Sequence, residues 1–181
     1  MNIQGDVGEV LTSSELRSLG LRVIRNVYIP KDVRYTEIDI IGVSNIGIFV
    51  IENKNYNGVV YGTKSSKYWL ADYGFYGQSY FLNPIIQNSI HKNSVIKLLR
   101  RNGYSNIPVF QPVIFNDKVN LNTKDTDKYV FTLSDFVKAY TSVTVSNLDD
   151  SLVMELSSLF SRYSDMSDEM KEIHVSLLKE V

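Results

Sequence analysis

The chain has 181 residues, 44% of them apolar and 22% charged, a formal net charge of −1 and no cysteine. That length suits about one domain with a substantial core, and the missing cysteines exclude a disulfide framework, a thiolate zinc site and a cysteine nucleophile. Near-neutrality argues against a protein that grips nucleic acid by bulk charge. It leaves room for a metal-dependent nuclease, whose clustered carboxylates lower the count and whose cation restores positive charge locally.

The start, MNIQGDVGEV, lacks the basic head and apolar middle of a signal peptide, and no apolar run approaches bilayer length, so a cytoplasmic protein is expected. Residues 6–19 predict a helix with Asp6 at its cap, Val7, Val10 and Leu11 on one side, and Gly20 as the stop. LRVIRNVYIP (21–30) reads as a strand closed by Pro30, and EIDIIGVSNIGIFVIENKN (37–55) as two strands around a four-residue turn, Ser44–Gly47. VVYGTKSSKYWLADYG (59–74) reads as two further strands, followed by GFYGQSYFLN as an irregular tyrosine-rich link. Asn83 caps a helix that Pro84 opens and that runs to about Arg101, before Gly103.

IPVFQPVIF (107–115) reads as a buried strand in which Pro112 marks an edge or bulge. YVFT (129–132) is one more strand, and Ser134 begins a short helix. LDDSLVMELSSLFSRY and SDEMKEIHVSLLKEV then give two amphipathic helices broken around Asp165. Strands interleaved with helices predict a mixed α/β layered domain. The expected division is a core over 1–120 and, over 121–181, a strand and helices packed on that core or at an oligomer interface.

The hairpin carries the chemistry. A symmetric register about Ser44–Gly47 sets Asp39 opposite Glu52, Ile41 opposite Val50, Val43 opposite Ile48 and Glu37 opposite Lys54, all on one face. The other face carries Ile38, Ile40, Phe49 and Ile51, so both faces need cover. Carboxylates set opposite each other repel, and a partly buried pair needs a proton, a cation or a metal between them. Oxygen ligands of this kind suit Mg²⁺ or Mn²⁺. Lys54 brings an ammonium to the same cavity, and a metal with a lysine can polarise a phosphate and orient a water. The competing reading is a solvated strand end with a Glu37–Lys54 ion pair and nothing bound.

Several pieces in order resemble the nuclease-related domain (NERD), a branch of the PD-(D/E)xK nuclease superfamily. They are Gly8-Glu9 in a helix, EID at 37–39, GIFVIENKN at 47–55, Gly58, Trp69 and NPIIQ at 83–87, covering roughly residues 5 to 115. The resemblance implies a restriction-endonuclease-like core, a mixed central sheet flanked by helices, to which this chain adds C-terminal helices. It implies that Asp39 and Glu52 hold the divalent ion, with the Asn53 carbonyl as an extra oxygen, and that Lys54 assists the attacking water. Glu9 would join the metal shell directly or through water, although taken alone it reads as an exposed helical glutamate. Gln87 would belong to the active site, although alone it reads as a surface amide. His91, four residues along the same helix, is either an ordinary surface histidine or a phosphate contact or proton shuttle.

Lys64 and Lys67, in the bend before Trp69, are the preferred phosphate contacts; Lys97, Arg100 and Arg101 are explained as well by the dipole of a helix end. The tyrosines of YWLADYGFYGQSY either stack on unpaired bases or form an aromatic cluster. No Walker-type loop is present, so ATP use is not expected. The expectation is a Mg²⁺- or Mn²⁺-dependent nuclease acting on DNA, with RNA also open as substrate, and with little sequence preference. The alternative is a non-catalytic module that docks nucleic acid or a helicase partner. Self-association through the C-terminal helices is a third reading.

Overall fold

A computed structural model describes residues 3–31 and 34–164 of the chain. Helix α1 (Ile3–Ser18) leads into strands β1 (Arg22–Lys31), β2 (Arg34–Ser44) and β3 (Gly47–Lys54). Strands β4 (Gly58–Thr63), β5 (Tyr68–Asp72) and β6 (Gln78–Leu82) form a meander before α2 (Pro84–Arg101). Then come β7 (Val109–Phe110), β8 (Val113–Phe115), β9 (Val119–Lys124), β10 (Val130–Thr132), α3 (Leu133–Thr141) and α4 (Asp150–Ser161). The main sheet runs β1-β2-β3-β8-β10, with β7 also on β3, and a smaller one runs β6-β5-β4-β9. The first three strands are antiparallel, whereas β7 and β8 lie parallel to β3, and β10 parallel to β8. The fold is therefore mixed α/β, its sheets flanked by helices that include C-terminal ones, consistent with a nuclease-like core.

The hairpin of β2 and β3 is oily on both faces because both are covered. Ile41, Val43, Ile48 and Val50 pack against Val95, Leu98 and Leu99 of α2 and Val153, Leu156 and Phe160 of α4. Ile40, Phe49 and Ile51 pack against Leu16 at the end of α1 and Phe136 of α3. Its register is the expected symmetric one only from Ser44 opposite Gly47 to Ile40 opposite Ile51; the expected rung that would set Asp39 opposite Glu52 does not form.

The ladder stops there for two reasons. In β1, Asn26 takes φ +52°, and its rung with Asp39 is missing between Arg25–Ile40 and Val27–Ile38. The kink reverses the facing of both strands: Ile38 now joins the Ile41 cluster while Ile40 stays on the opposite side. Meanwhile β3 moves on to a new partner, setting Glu52, Asn53 and Lys54 beside Val113, Ile114 and Phe115 of β8.

Between β7 and β8, Gln111-Pro112 interrupts the pairing with β3, since proline has no N–H to donate. Asn88 of α2 bridges the gap, its buried amide donating to the carbonyls of Val50 (3.0 Å) and Pro112 (2.9 Å).

Several sequence expectations need correction. Helix α1 begins at Ile3, so Asp6 lies inside it. Val7, Val10 and Leu11 are exposed, and the helix docks through Gly8, Thr12, Ser13 and Leu16. GFYGQSYFLN is ordered as a 3₁₀ turn (Gly74–Tyr76) followed by strand β6. The strand expected over 107–115 is two short ones, and VNLNTK, unassigned from sequence, forms β9. Strand β9 spans residue 120, and α4 packs its apolar stripe on the main core. The last expected helix, with His174, lies outside the described residues.

Candidate functional site

The charged end of the hairpin sits where β2 and β3 diverge. Because β3 alternates, Glu52 and Lys54 point toward α2 and Asn53 toward α1. Lys54 Nζ lies 2.6 Å from Glu52 Oε1 and 3.4 Å from Gln87 Oε1, to which it donates. Asp39, at the kink, uses Oδ2 to accept the Asn53 backbone N–H at 2.8 Å, a side chain substituting for the lost ladder rung. Thr12 of α1 donates to Asn53 Oδ1 at 2.8 Å. Gly8 lets that helix come close, since an added Cβ would stand 2.9 Å from Cβ of Asn55.

Glu52 is 1% exposed. Behind it stands His91, also buried, with Nε2 3.3 Å from Glu52 Oε2, just outside hydrogen-bond geometry. Thr36 Oγ1 lies 2.7 Å from His91 Nδ1. A carboxylate has nothing to donate, so the ring proton belongs on Nε2, and Nδ1 then accepts from the Thr36 hydroxyl. His91 thus faces inward onto a carboxylate, a position unlike that of a surface phosphate contact.

Electrostatics separate the two acids. Burial and then the Glu52 charge hold the Asp39 carboxyl well above the usual carboxylate range, against the Asn53 N–H and Lys54, which pull it down. Burial also raises Glu52, but His91 and Lys54 outweigh it and leave the group below its ordinary value. Burial opposes the charge on Lys54, yet Glu52 and Asp39 overcome it and keep the ammonium charged. Two interacting carboxyls pushed apart in this way make the cluster a candidate site.

Glu9 is held by Arg25 at 3.2 Å and lies close enough to raise Asp39 further. Glu37 does not meet Lys54, because the kink turns it outward, and it accepts from the Tyr28 hydroxyl at 2.8 Å. Lys64 and Lys67 are exposed on the β4–β5 turn. Their link to the site is Asn83, whose amide donates to the carbonyls of Thr63, Lys64 and Ser66 while its oxygen caps α2 at Ile85 N–H. Sequence reasoning treated Asn83 only as a cap and missed Thr36 and Asn88, because their partners lie far away in the chain.

The residues that could hold a cation are Asp39 and Glu52, with the Asn53 carbonyl. Among the described residues no group of three or more His, Cys, Asp or Glu side chains is arranged for a metal. Two carboxylates fit a hard divalent cation that keeps several waters, the habit of Mg²⁺. An apolar cavity of about 440 Å³ by Phe49, Phe110 and Phe136 opens on the opposite face of β3 and includes none of these groups.

One stability prediction follows from Asp39. A carboxyl raised in the folded state contributes stability that is full below its unfolded value and lost as pH climbs through its folded one. Asp39→Asn removes that loss while keeping an acceptor for Asn53 N–H. In EDTA at neutral pH the variant should therefore be more stable than the parent by about 1 kcal/mol, read by thermal melting. A lower melting temperature would contradict the assigned electrostatics.

Among the described residues no helix is long and apolar enough to cross a membrane. The chain is 28% identical, over 97% of its length and 84% of the relative's, to an uncharacterized protein of Bacillus anthracis. The crystal structure of AF1548, a protein of unknown function, aligns over 97% of each chain at 11% identity, with a TM-score of 0.34 that supports no inference. The family model described as nuclease-related domain matches residues 4–116, which span α1 through β8 and every residue of the cluster. The chain belongs to the nuclease-related domain (NERD) family, within the general context of the PD-(D/E)xK superfamily.

Proposed function

We propose that the protein is a Mg²⁺- or Mn²⁺-dependent nuclease that hydrolyses DNA phosphodiester bonds, nicking or cutting with little sequence preference, at the Asp39–Glu52–Lys54 cluster. One observation carries the reading: the buried Glu52 carboxylate lies 2.6 Å from the Lys54 ammonium, and Asp39, anchored on the Asn53 N–H at 2.8 Å, stands at the same strand end with its carboxyl raised by burial and then by the Glu52 charge. A buried pair of acids is costly to a fold, and a divalent cation offsets that cost.

In this reading Asp39, Glu52 and the Asn53 carbonyl hold the cation, with Glu9 reaching it through water. The bound ion would supply Lewis-acid polarisation of the phosphate and a more acidic water. Lys54, kept charged by its two neighbours, donates to a phosphate oxygen and orients the attacking water. Gln87 steadies Lys54 from α2, and Thr36, bonded to Nδ1, keeps the His91 ring facing the far oxygen of Glu52, 3.3 Å away. Lys64 and Lys67, anchored through Asn83, meet flanking phosphates. The setting proposed is the cytoplasm, with DNA as substrate and RNA as a second polymer to test.

A second reading, a non-catalytic module that docks nucleic acid or a helicase, draws on the absence of a three-ligand cluster among the described residues. End-labelled DNA incubated with purified protein separates the two. Cleavage should need Mg²⁺ or Mn²⁺, stop with EDTA and return on adding back the ion. DNA binding without cleavage under any of these conditions would favour the docking module.

A further inference from the structure

The small sheet has one face with no assigned task. Its inner face buries Val60, Trp69, Ala71 and Val119 against Ile85, Val113 and Phe115. Alternation sends Tyr61, Tyr68 and Tyr80 to the other face, where they are 39%, 54% and 73% exposed. Register brings them together: Leu70 pairs with both Tyr61 and Tyr80, and Tyr68 lies opposite Leu82. Strand β9 adds Asn122 beside Tyr61. Isolated exposed tyrosines are ordinary, whereas three together on a face left exposed among the described residues form a patch of the kind that marks an interaction site.

The two ends of this face differ. At one end Lys67 Nζ lies 5.3 Å from the Tyr68 ring centre, and the exposed Lys124 follows two residues after Asn122 on the same face. Lys64, tied to Lys124 only through its backbone N–H at 3.2 Å, sets its own Nζ 4.9 Å from the Tyr129 ring centre. At the other, the β5–β6 turn displays Phe75 and Tyr76 in full contact with solvent. That turn is tightly built: Asp72 accepts from Gly74 N–H and from the Gln78 amide, and Tyr73 N–H donates to Gly77. It also adjoins the catalytic strand. Gly58, four residues beyond Lys54, lies so close to Asp72 that an added Cβ would meet its carbonyl oxygen at 2.2 Å.

Nucleic-acid bases suit the tyrosine row because every base has a π-face, and phosphates suit the lysines at its end. A paired duplex hides its base faces, and a purely apolar protein partner leaves the lysines and asparagines unmatched. We propose that the outer face of the β6-β5-β4-β9 sheet is a stacking platform for an unpaired nucleic-acid strand, with Phe75 and Tyr76 at its active-site end. Its purpose rests on the nuclease reading; its test does not.

The test is fluorescence anisotropy in EDTA, with a labelled single-stranded DNA oligonucleotide and the matching duplex. The parent should bind the single strand more tightly. Each stacked base lost should weaken binding on the order of tenfold, so Tyr68→Ala/Tyr80→Ala and Phe75→Ala/Tyr76→Ala should each show a clear loss. Tyr80→Phe should retain affinity, and emission from Trp69, on the sheet's other face, should not change. Unaltered binding by both double variants, or a preference for duplex, would overturn the platform. So would a parent dimer that the tyrosine substitutions dissociate, since the face would then hold a second copy. Loss of the platform with Asp39-dependent cleavage intact leaves the nuclease reading standing; strand binding that the tyrosines control in a chain that never cleaves does the reverse.

Discussion

Lys54→Ala is expected to lower cleavage about 10²- to 10³-fold, the usual effect of removing one positioned donor from developing charge. It should also destabilise the protein. Glu52 is 1% exposed and its Oε1 rests 2.6 Å from the ammonium, so alanine leaves a buried carboxylate with only His91 nearby. Breaking a buried pair costs about 3–5 kcal/mol, and the lower figure applies because Lys54 keeps 19% of its side chain in water. The sign with pH follows from Glu52. Its depressed carboxyl contributes stability present above the unfolded value and lost as pH falls through the folded one. Without Lys54 that contribution shrinks, so the variant should be most deficient near neutrality and converge on the parent in acid. Lys54→Arg keeps the charge but not the compact geometry, and should restore stability further than activity. Cleavage rates and urea midpoints across pH check both halves. A Lys54→Ala protein as stable as the parent would mean that Glu52 is compensated from elsewhere.

Asn83→Asp should be nearly as damaging as Asn83→Ala, although aspartate and asparagine are equivalent at an ordinary helix cap. The side chain is fully buried, and its amide donates to the carbonyls of Thr63, Lys64 and Ser66 at 3.2, 3.1 and 2.7 Å. Alanine loses those bonds and the cap to Ile85 N–H, about 1 kcal/mol each. Aspartate keeps the cap but sets a carboxylate against three carbonyl oxygens with no donor between them. Each substitution should cost at least about 3 kcal/mol and weaken DNA binding, because it frees the Lys64–Lys67 turn from α2. Denaturant titration and anisotropy on the two variants check this. An aspartate variant that behaves like the parent would show that asparagine is there only for the helix.

The capped start of α2 and the hairpin register were legible because each depends on local chemistry: Asn-Pro at a helix start, and two alternating apolar strands around one turn. The two acids and Lys54 were legible as candidates for the same reason. Their arrangement was not, since it depends on Asn26 adopting φ +52° in a neighbouring strand. That kink breaks the simple alternation that put Glu37 with Lys54. His91 looked like a surface residue because only the fold brings Thr36 and Glu52 to its two nitrogens. Strands β6 and β9 escaped notice because QSYFL and VNLNTK put polar or aromatic residues on the open side of the small sheet, where no apolar stripe is needed. Helix α1 misled in the opposite sense. Its apolar Val7, Val10 and Leu11 face out, and apart from Leu16 it docks through small and polar residues, Gly8 and Thr12 against Asn55 and Asn53.

The most direct measurement is conversion of supercoiled plasmid to nicked or linear form in Mg²⁺ or Mn²⁺, by the parent, Asp39→Asn and Lys54→Ala side by side. The parent should convert the plasmid, chelation should stop it, Lys54→Ala should be slower by about 10²- to 10³-fold, and Asp39→Asn should be silent while remaining fully folded. A parent that never cleaves, or cleavage that survives both substitutions, would contradict the assignment of this cluster as a nuclease site.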